Sequence, residues 1–149
     1  MNAITVTFNV PDQQLEDILV TAFEGGCSYW LKQIKFTNKP TKKTEFASEH
    51  LTRTPDGKLT LILHEPISDE SKILSYELTK EKLLIGIARC VTEGRITATY
   101  DGQTKGQLAR TEDKLLNFAK DIPIYQLDHD AGGADCAVQY ALFNELIFG

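Results

Sequence analysis

The amino-acid sequence predicts a single α+β domain, with a mainly antiparallel sheet of about four strands and three to four helices. Strand-like alternation and helix-like apolar spacing occur in mixed order along the chain. Several spans between the predicted strands are turns rather than regular helical crossovers, which disfavours a doubly wound parallel sheet. A chain of 149 residues that is 42% hydrophobic can bury a core without disulfides or metal. We therefore expect residues 1–149 to form one globular domain.

The first third of the chain predicts a strand, a helix and a second strand. ITVTFNV alternates apolar and polar residues, which is typical of a half-buried strand. Pro11 and Asp12 end that strand and suit a helix start. Gly25 and Gly26 are predicted to end the helix in the left-handed conformation, and CSYWLKQIKF follows as a strand. The apolar stripe of this helix is formed by Leu15, Ile18, Leu19, Ala22 and Phe23.

The rest of the chain continues the alternation of strands and helices. The polar stretch 37–57 ends in a turn, TPDG, and KLTLILHE then predicts a strand. A helix is expected after it, capped by Thr79 and closed by Gly94. RITATY predicts a short strand, TEDKLLNFAKD a helix capped by Thr111, and a final helix runs from about residue 132 into LFNELIF.

Composition and charge narrow the class of protein. A net charge of −5 argues against a general nucleic-acid binder, and the basic run at 37–43 is interpreted as a solvated loop. No stretch approaches the roughly 18 apolar residues that a membrane span requires, and the N-terminus lacks the pattern of a secretory signal. Cys27, Cys90 and Cys136 are odd in number and far apart, which suits a reducing compartment. We therefore expect a protein of the cytoplasm.

The run DHDAGGAD at 128–135 precedes the last helix and invites three interpretations. Capping of the helix by its aspartates is the leading one. A divalent cation held by Asp128, Asp130 and Asp135 is the second, although Gly132 and Gln139 occupy two positions where an EF-hand requires ligands. A phosphate cradle at the helix N-terminus is the third, and it is disfavoured because no lysine is present and the aspartates repel phosphate.

Two pairs of residues form a candidate binding cluster. Asp135 and Gln139 lie four apart on one side of the last helix, where they either anchor a loop or contact the edge of a ligand. Tyr29 and Trp30 point to opposite faces if their segment is a strand. One ring would then pack in the core, and the other would be free to stack on a base, a sugar or a partner.

Two blocks carry a resemblance to a known group of proteins. EGGCSYW at 24–30 and ADCAVQYALFNELIFG at 134–149 resemble blocks in small proteins encoded by bacteriophages and prophages. Asn144 stands where the resemblance leads us to expect glycine. The resemblance implies a setting in a phage or mobile element, and it carries over no catalytic residue. It also implies that a set of residues belongs to the shared part of the fold, namely Glu24, Gly25, Gly26, Tyr29, Trp30, Asp135 and Gln139.

The leading functional hypothesis is a non-catalytic accessory protein. His129 and Cys136 are seven residues apart, too far for a direct nucleophile–base pair, and the common catalytic motifs are absent. The protein would bind a small molecule, such as a nucleotide signal, or a host defence protein. The expected ligand-binding residues are Glu24, Gly26, Tyr29, Trp30, Asp135 and Gln139.

Two alternatives remain open. The first is a metal-dependent hydrolase of a nucleotide or phosphoester, in which Asp128, Asp130 and Asp135 hold a divalent cation. The second is a homo-oligomeric interaction protein that uses the apolar C-terminus LFNELIFG as its interface.

Overall fold

A computed structural model describes residues 8–41, 46–100, 103–105 and 122–149, and it confirms an α+β fold with mainly antiparallel strand pairing. The helices of these described ranges are α1 (Asp12–Thr21), α2 (Ala47–Arg53), α3 (Lys80–Thr92) and α4 (Ala131–Phe143). The strands are β1 (Phe8–Asn9), β2 (Leu31–Phe36), β3 (Lys58–Leu63), β4 (Ser75–Thr79), β5 (Thr97–Tyr100), β6 (Gln103–Lys105) and β7 (Ile122–Asp128). The predicted residues 4–7 of the first strand and the helix after Thr111 lie outside these ranges.

The strands are divided between two sheets rather than gathered in one. The first sheet has the order β2-β3-β4 and is antiparallel throughout. The second has the order β1-β7-β5-β6, in which only the short β1–β7 pair is parallel. In the central strand β3, Leu59, Leu61 and Leu63 alternate with partly exposed residues and are buried, as their spacing predicts. The edge strand β2 carries exposed Lys32 and Lys35, which protect it from pairing with another chain.

The helix ends follow the predicted caps in α3 and α4. Thr79 accepts a hydrogen bond from the backbone N–H of Lys82 at 3.2 Å, and Gly94 takes a left-handed φ of 76° after α3. Asp130 caps α4 by accepting the N–H of Gly133 at 2.7 Å. The two helices pack against each other and bury their apolar stripes in the core that both sheets share. None of the described helices has the length and apolar character needed to cross a membrane.

Four elements were not predicted from the sequence. Helix α2 lies within the polar stretch 37–57, and its buried face includes Ser48, His50 and Thr52. Strand β4 lies directly before α3, where no strand was predicted. Strand β6 lies within DGQTKGQ, which the sequence predicts to be a turn or flexible loop. Strand β7 includes Pro123, which we expected to end a helix. In each case, polar residues or a proline obscure the apolar periodicity on which the prediction depends.

The last helix ends earlier than predicted. Asn144 adopts the left-handed conformation at φ 61°, so α4 stops at Phe143 and the chain turns back over it. Asparagine tolerates this conformation better than other non-glycine residues. Leu146 and Phe148 of the tail pack against the chain's own core and are partly buried there.

Candidate functional site

Asp135 is the centre of a buried polar cluster. It is the fifth residue of α4 and is 7% exposed. Its Oδ1 accepts hydrogen bonds from Trp30 Nε1 at 2.7 Å and from Gln139 Nε2 at 3.0 Å. Its Oδ2 accepts the Tyr29 hydroxyl at 2.5 Å. These donors and the nearby N-terminus of α4 stabilise the carboxylate, and no cationic side chain of the described residues lies within 4.0 Å of it.

Gln139 fixes the C-terminal tail with both ends of its amide. Its Oε1 accepts the backbone N–H groups of Ile147 at 2.9 Å and Phe148 at 2.8 Å. Its Nε2 donates to the carbonyl of Phe148 at 3.1 Å. The Phe148 ring then stacks on Trp30, with 5.4 Å between ring centroids and 4° between planes. The tail thus covers one face of the Trp30 ring.

Tyr29 lies outside and Trp30 inside, although residues 27–30 form turns before β2 and not the strand on which the expected alternation depended. Tyr29 is 54% exposed and Trp30 is 2% exposed. Loss of water around the Tyr29 hydroxyl and its hydrogen bond to Asp135 raise the pKa of this phenol above its ordinary value. The Tyr29 hydroxyl is therefore neutral. Its hydrogen bond to Asp135 holds the exposed ring and ties the segment before β2 to α4.

The other two expected ligand residues do not join this cluster. Helix α1 continues into a π-helical turn at Ala22–Gly26, and neither Gly25 nor Gly26 has a positive φ. The prediction of left-handed glycines was therefore wrong. Gly26 is instead required for close approach, because an added Cβ would lie 2.7 Å from the Ala131 carbonyl oxygen. Glu24 is exposed on the same turn and lines a groove between α1 and α2 instead.

The three aspartates of the proposed cation site have separate partners. Asp128 accepts Gln126 Nε2 at 2.6 Å, while Asp130 caps α4 and Asp135 is enclosed by its donors. Among the residues that the structure describes, no group of three or more histidine, cysteine or acidic side chains is arranged to hold a metal ion. The interpretation of DHDAGGAD as the start of a helix is thereby supported over a cation site.

The thiols and His129 take part in the packing rather than in a nucleophile–base pair. Burial raises the pKa of Cys27 and raises that of Cys90 to about 12, so both thiols are protonated at neutral pH. His129 contacts Thr21 Oγ1 at 3.0 Å through Nε2 and the Leu127 carbonyl at 3.0 Å through Nδ1. This histidine therefore joins α1 to the segment before α4.

A groove lies between α1 and α2, with a volume of about 640 Å³. Its apolar lining includes Phe46, which is 71% exposed, and Val20, which is 39% exposed, while Phe23 and Ile34 are partly buried against the core. The polar residues of the lining are mostly acidic. We call this feature the α1–α2 groove, and its lining consists of Gln13, Glu16, Asp17, Val20, Phe23, Glu24, Ile34, Phe46, Ala47, Ser48, Glu49 and Arg53.

One ion pair lies in the lining of the groove. Arg53 Nε and Nη2 donate to the two carboxylate oxygens of Glu16, the second at 3.0 Å. The hydrogen bonds from Arg53 hold the pKa of Glu16 below its ordinary value. Within the described ranges, Asp17, Glu24 and Glu49 have no cationic side chain within 4.0 Å. Among these residues, the lining therefore carries an excess of negative charge beside exposed apolar side chains.

Sequence reasoning missed this groove because its two walls are distant in sequence. Phe46 and Glu49 come from α2, which was predicted to be a loop, and Val20 is an apolar residue on the solvated side of α1. The exposed apolar side chain at position 20 was the available signal, since it interrupts an otherwise polar face.

Comparison of the chain with protein-family models, with curated proteins and with solved structures found no match.

Proposed function

We propose that this protein is a non-catalytic accessory protein of a phage or mobile element, and that it acts by binding a host protein through the α1–α2 groove. The observation that carries the proposal is the exposure of Phe46 and Val20, at 71% and 39%, in the lining of a groove of about 640 Å³. A large exposed apolar side chain in a groove with polar rims is typical of a protein interaction surface.

The buried cluster supports a protein partner over a small-molecule ligand. A ligand that stacked on Trp30 or bonded to Gln139 would have to displace Phe148 and the backbone of the tail. Both ends of the Gln139 amide are already bonded. The expected ligand site is thus filled by the chain itself, whereas the α1–α2 groove is open.

The hydrolase alternative has less support from the same contacts. Asp130 is engaged by the first turn of α4, and Asp135 lies among neutral donors that hold it in place. A cation ligand or general base would have to give up these bonds. The resemblance of residues 24–30 and 134–149 to phage-encoded proteins supports the phage or mobile-element part of the proposal, but it does not bear on the chemistry.

Phe46→Ser is the variant that tests the proposal. Phe46 occupies the N-cap position of α2 with an extended backbone, at φ −77° and ψ 157°, and its side chain makes no cap bond. Serine favours this position, so the substitution removes the apolar surface while supporting the helix. The tagged full-length protein is expressed in bacterial host cells and cross-linked, and the co-purified proteins are identified and then purified for binary binding assays.

Ile73→Ser is the matched control, because Ile73 is exposed and lies outside the groove. The proposal expects a purified host protein that binds the wild type and Ile73→Ser but not Phe46→Ser. Equal binding by all three variants would place the interface elsewhere and contradict the proposal. Native mass spectrometry that released a stoichiometric small molecule from the wild type would also contradict it.

A further inference from the structure

We propose that the α1–α2 groove recognises an amphipathic segment of its partner in which lysine or arginine residues flank an apolar side chain. This inference rests on the proposed function and adds the chemistry of the partner. It follows from the arrangement of charge along the groove and from the position of the exposed apolar side chains between the charges.

On the α1 side, the groove is lined by Asp17, Val20 and Glu24. Asp17 and Val20 belong to α1, and Glu24 belongs to the π-helical turn that continues it. Both acids are exposed, and the apolar Val20 lies between them in the sequence. A complementary segment would place cations on either side of an apolar residue.

The α2 side of the groove repeats this combination of charge and apolar surface. Phe46 stands at the start of α2, and Glu49 follows in the first turn of that helix. Among the described residues of the groove lining, Arg53 is the one cation, and it forms an ion pair with Glu16. A basic partner would therefore meet an excess of carboxylates on the described sides of the groove, while an acidic partner would be repelled.

The test uses two short synthetic peptides labelled with fluorescein. One alternates lysine pairs with leucine pairs to form an amphipathic basic segment, and the other has glutamate in place of every lysine. Binding to the full-length protein is measured by fluorescence anisotropy at low and high salt. We expect the basic peptide to bind, to weaken with salt, and to compete with any partner that depends on Phe46. The acidic peptide should bind at least about tenfold more weakly.

Variants locate the binding to the groove. Phe46→Ser and the double variant Asp17→Lys, Glu24→Lys should each weaken the basic peptide by about tenfold or more. The double variant should also lose most of the salt dependence. Ile73→Ser and Glu70→Lys are the matched controls, because both side chains are exposed and neither lines the groove. These controls should change the affinity by less than about twofold.

Three results would overturn the inference: equal binding of both peptides, equal loss in the control variants, or no binding of the basic peptide. If a host protein still depended on Phe46 in those cases, the proposed function would stand and only the chemistry of the partner would be wrong. Concentration-dependent dimerisation that Phe46→Ser abolished would show a second copy of the chain in the groove, and it would overturn both proposals.

Discussion

Trp30 donates its indole N–H to Asp135 Oδ1 at 2.7 Å, although 105 residues separate the two. This bond joins the segment before β2 to α4, and Tyr29 and Gln139 bond to the same carboxylate. We expect Asp135→Ala to lower the free energy of unfolding by about 3 kcal/mol, because it leaves buried donors unsatisfied. Asp135→Asn should cost less, since its amide oxygen can still accept from Trp30.

Urea denaturation followed by tryptophan fluorescence measures both losses. Asp128→Ala is the control, because this exposed carboxylate bonds only to Gln126 among the described residues, and it should change stability by no more than about 0.5 kcal/mol. Equal stability of Asp135→Ala and the wild type would contradict the structural role that we assign to the cluster.

The C-terminal tail is held in place by the side chain of Gln139. Gln139→Leu keeps the size of the side chain but removes the bonds to Ile147 and Phe148, so we expect a loss of about 2 kcal/mol. Hydrogen exchange of these two backbone amides should become faster than in the wild type. Glu145→Gln changes an exposed residue of the same tail and serves as the control. Unchanged protection of both amides in Gln139→Leu would show that other contacts hold the tail.

Stability should depend on pH through Glu16. Hydrogen bonds from Arg53 keep the folded-state pKa of Glu16 below its ordinary value of 4.5. A depressed pKa stabilises the fold above that ordinary value, and this contribution is lost as the pH falls through the folded pKa. The gap in unfolding free energy between the wild type and Glu16→Gln should therefore be largest near neutral pH and shrink below pH 4.5.

Urea denaturation between neutral and acidic pH checks this dependence, with Glu70→Gln as the exposed control. If the difference in unfolding free energy between the wild type and Glu16→Gln stayed constant with pH, the charge of the ion pair would not contribute to stability.

Local signals in the sequence account for the elements that were predicted correctly. Thr79, Gly94 and Asp130 act within three residues of the helix ends that they form, so their roles follow from short-range chemistry. The alternation of Leu59, Leu61 and Leu63 indicates a strand for the same reason. The pairing of Asp135 with Gln139 as an anchor was one of the two interpretations offered, and the hydrogen bonds support it.

Long-range partners could not be predicted in the same way. Nothing near Asp135 in the sequence indicates that it bonds to Trp30 and Tyr29, and α2 buries polar side chains that conceal its periodicity. The division of the strands into two sheets depends on which strands meet, and strand pairing has no local signal. The groove could not be predicted either, because α2 forms one of its walls.

The close packing of α3 against α4 leads us to expect an effect of Gly86→Ala on stability that is opposite to the one helix propensity predicts. Alanine is favoured over glycine inside a helix by about 1 kcal/mol, so propensity alone would make Gly86→Ala stabilising. An added Cβ at Gly86 would lie 2.2 Å from the Ala137 carbonyl oxygen, a distance that requires the two helices to separate. We therefore expect Gly86→Ala to destabilise the protein by about 2 kcal/mol or more.

Gly132→Ala is the matched comparison within α4. Its added Cβ would meet only Asp130 Oδ1 at 3.4 Å, so we expect it to be neutral or slightly stabilising. Thermal and urea unfolding of the two variants should give effects of opposite sign or clearly different size. A stabilising Gly86→Ala would show that α3 and α4 are not in the close contact described above, since the same methyl group would then fit between them.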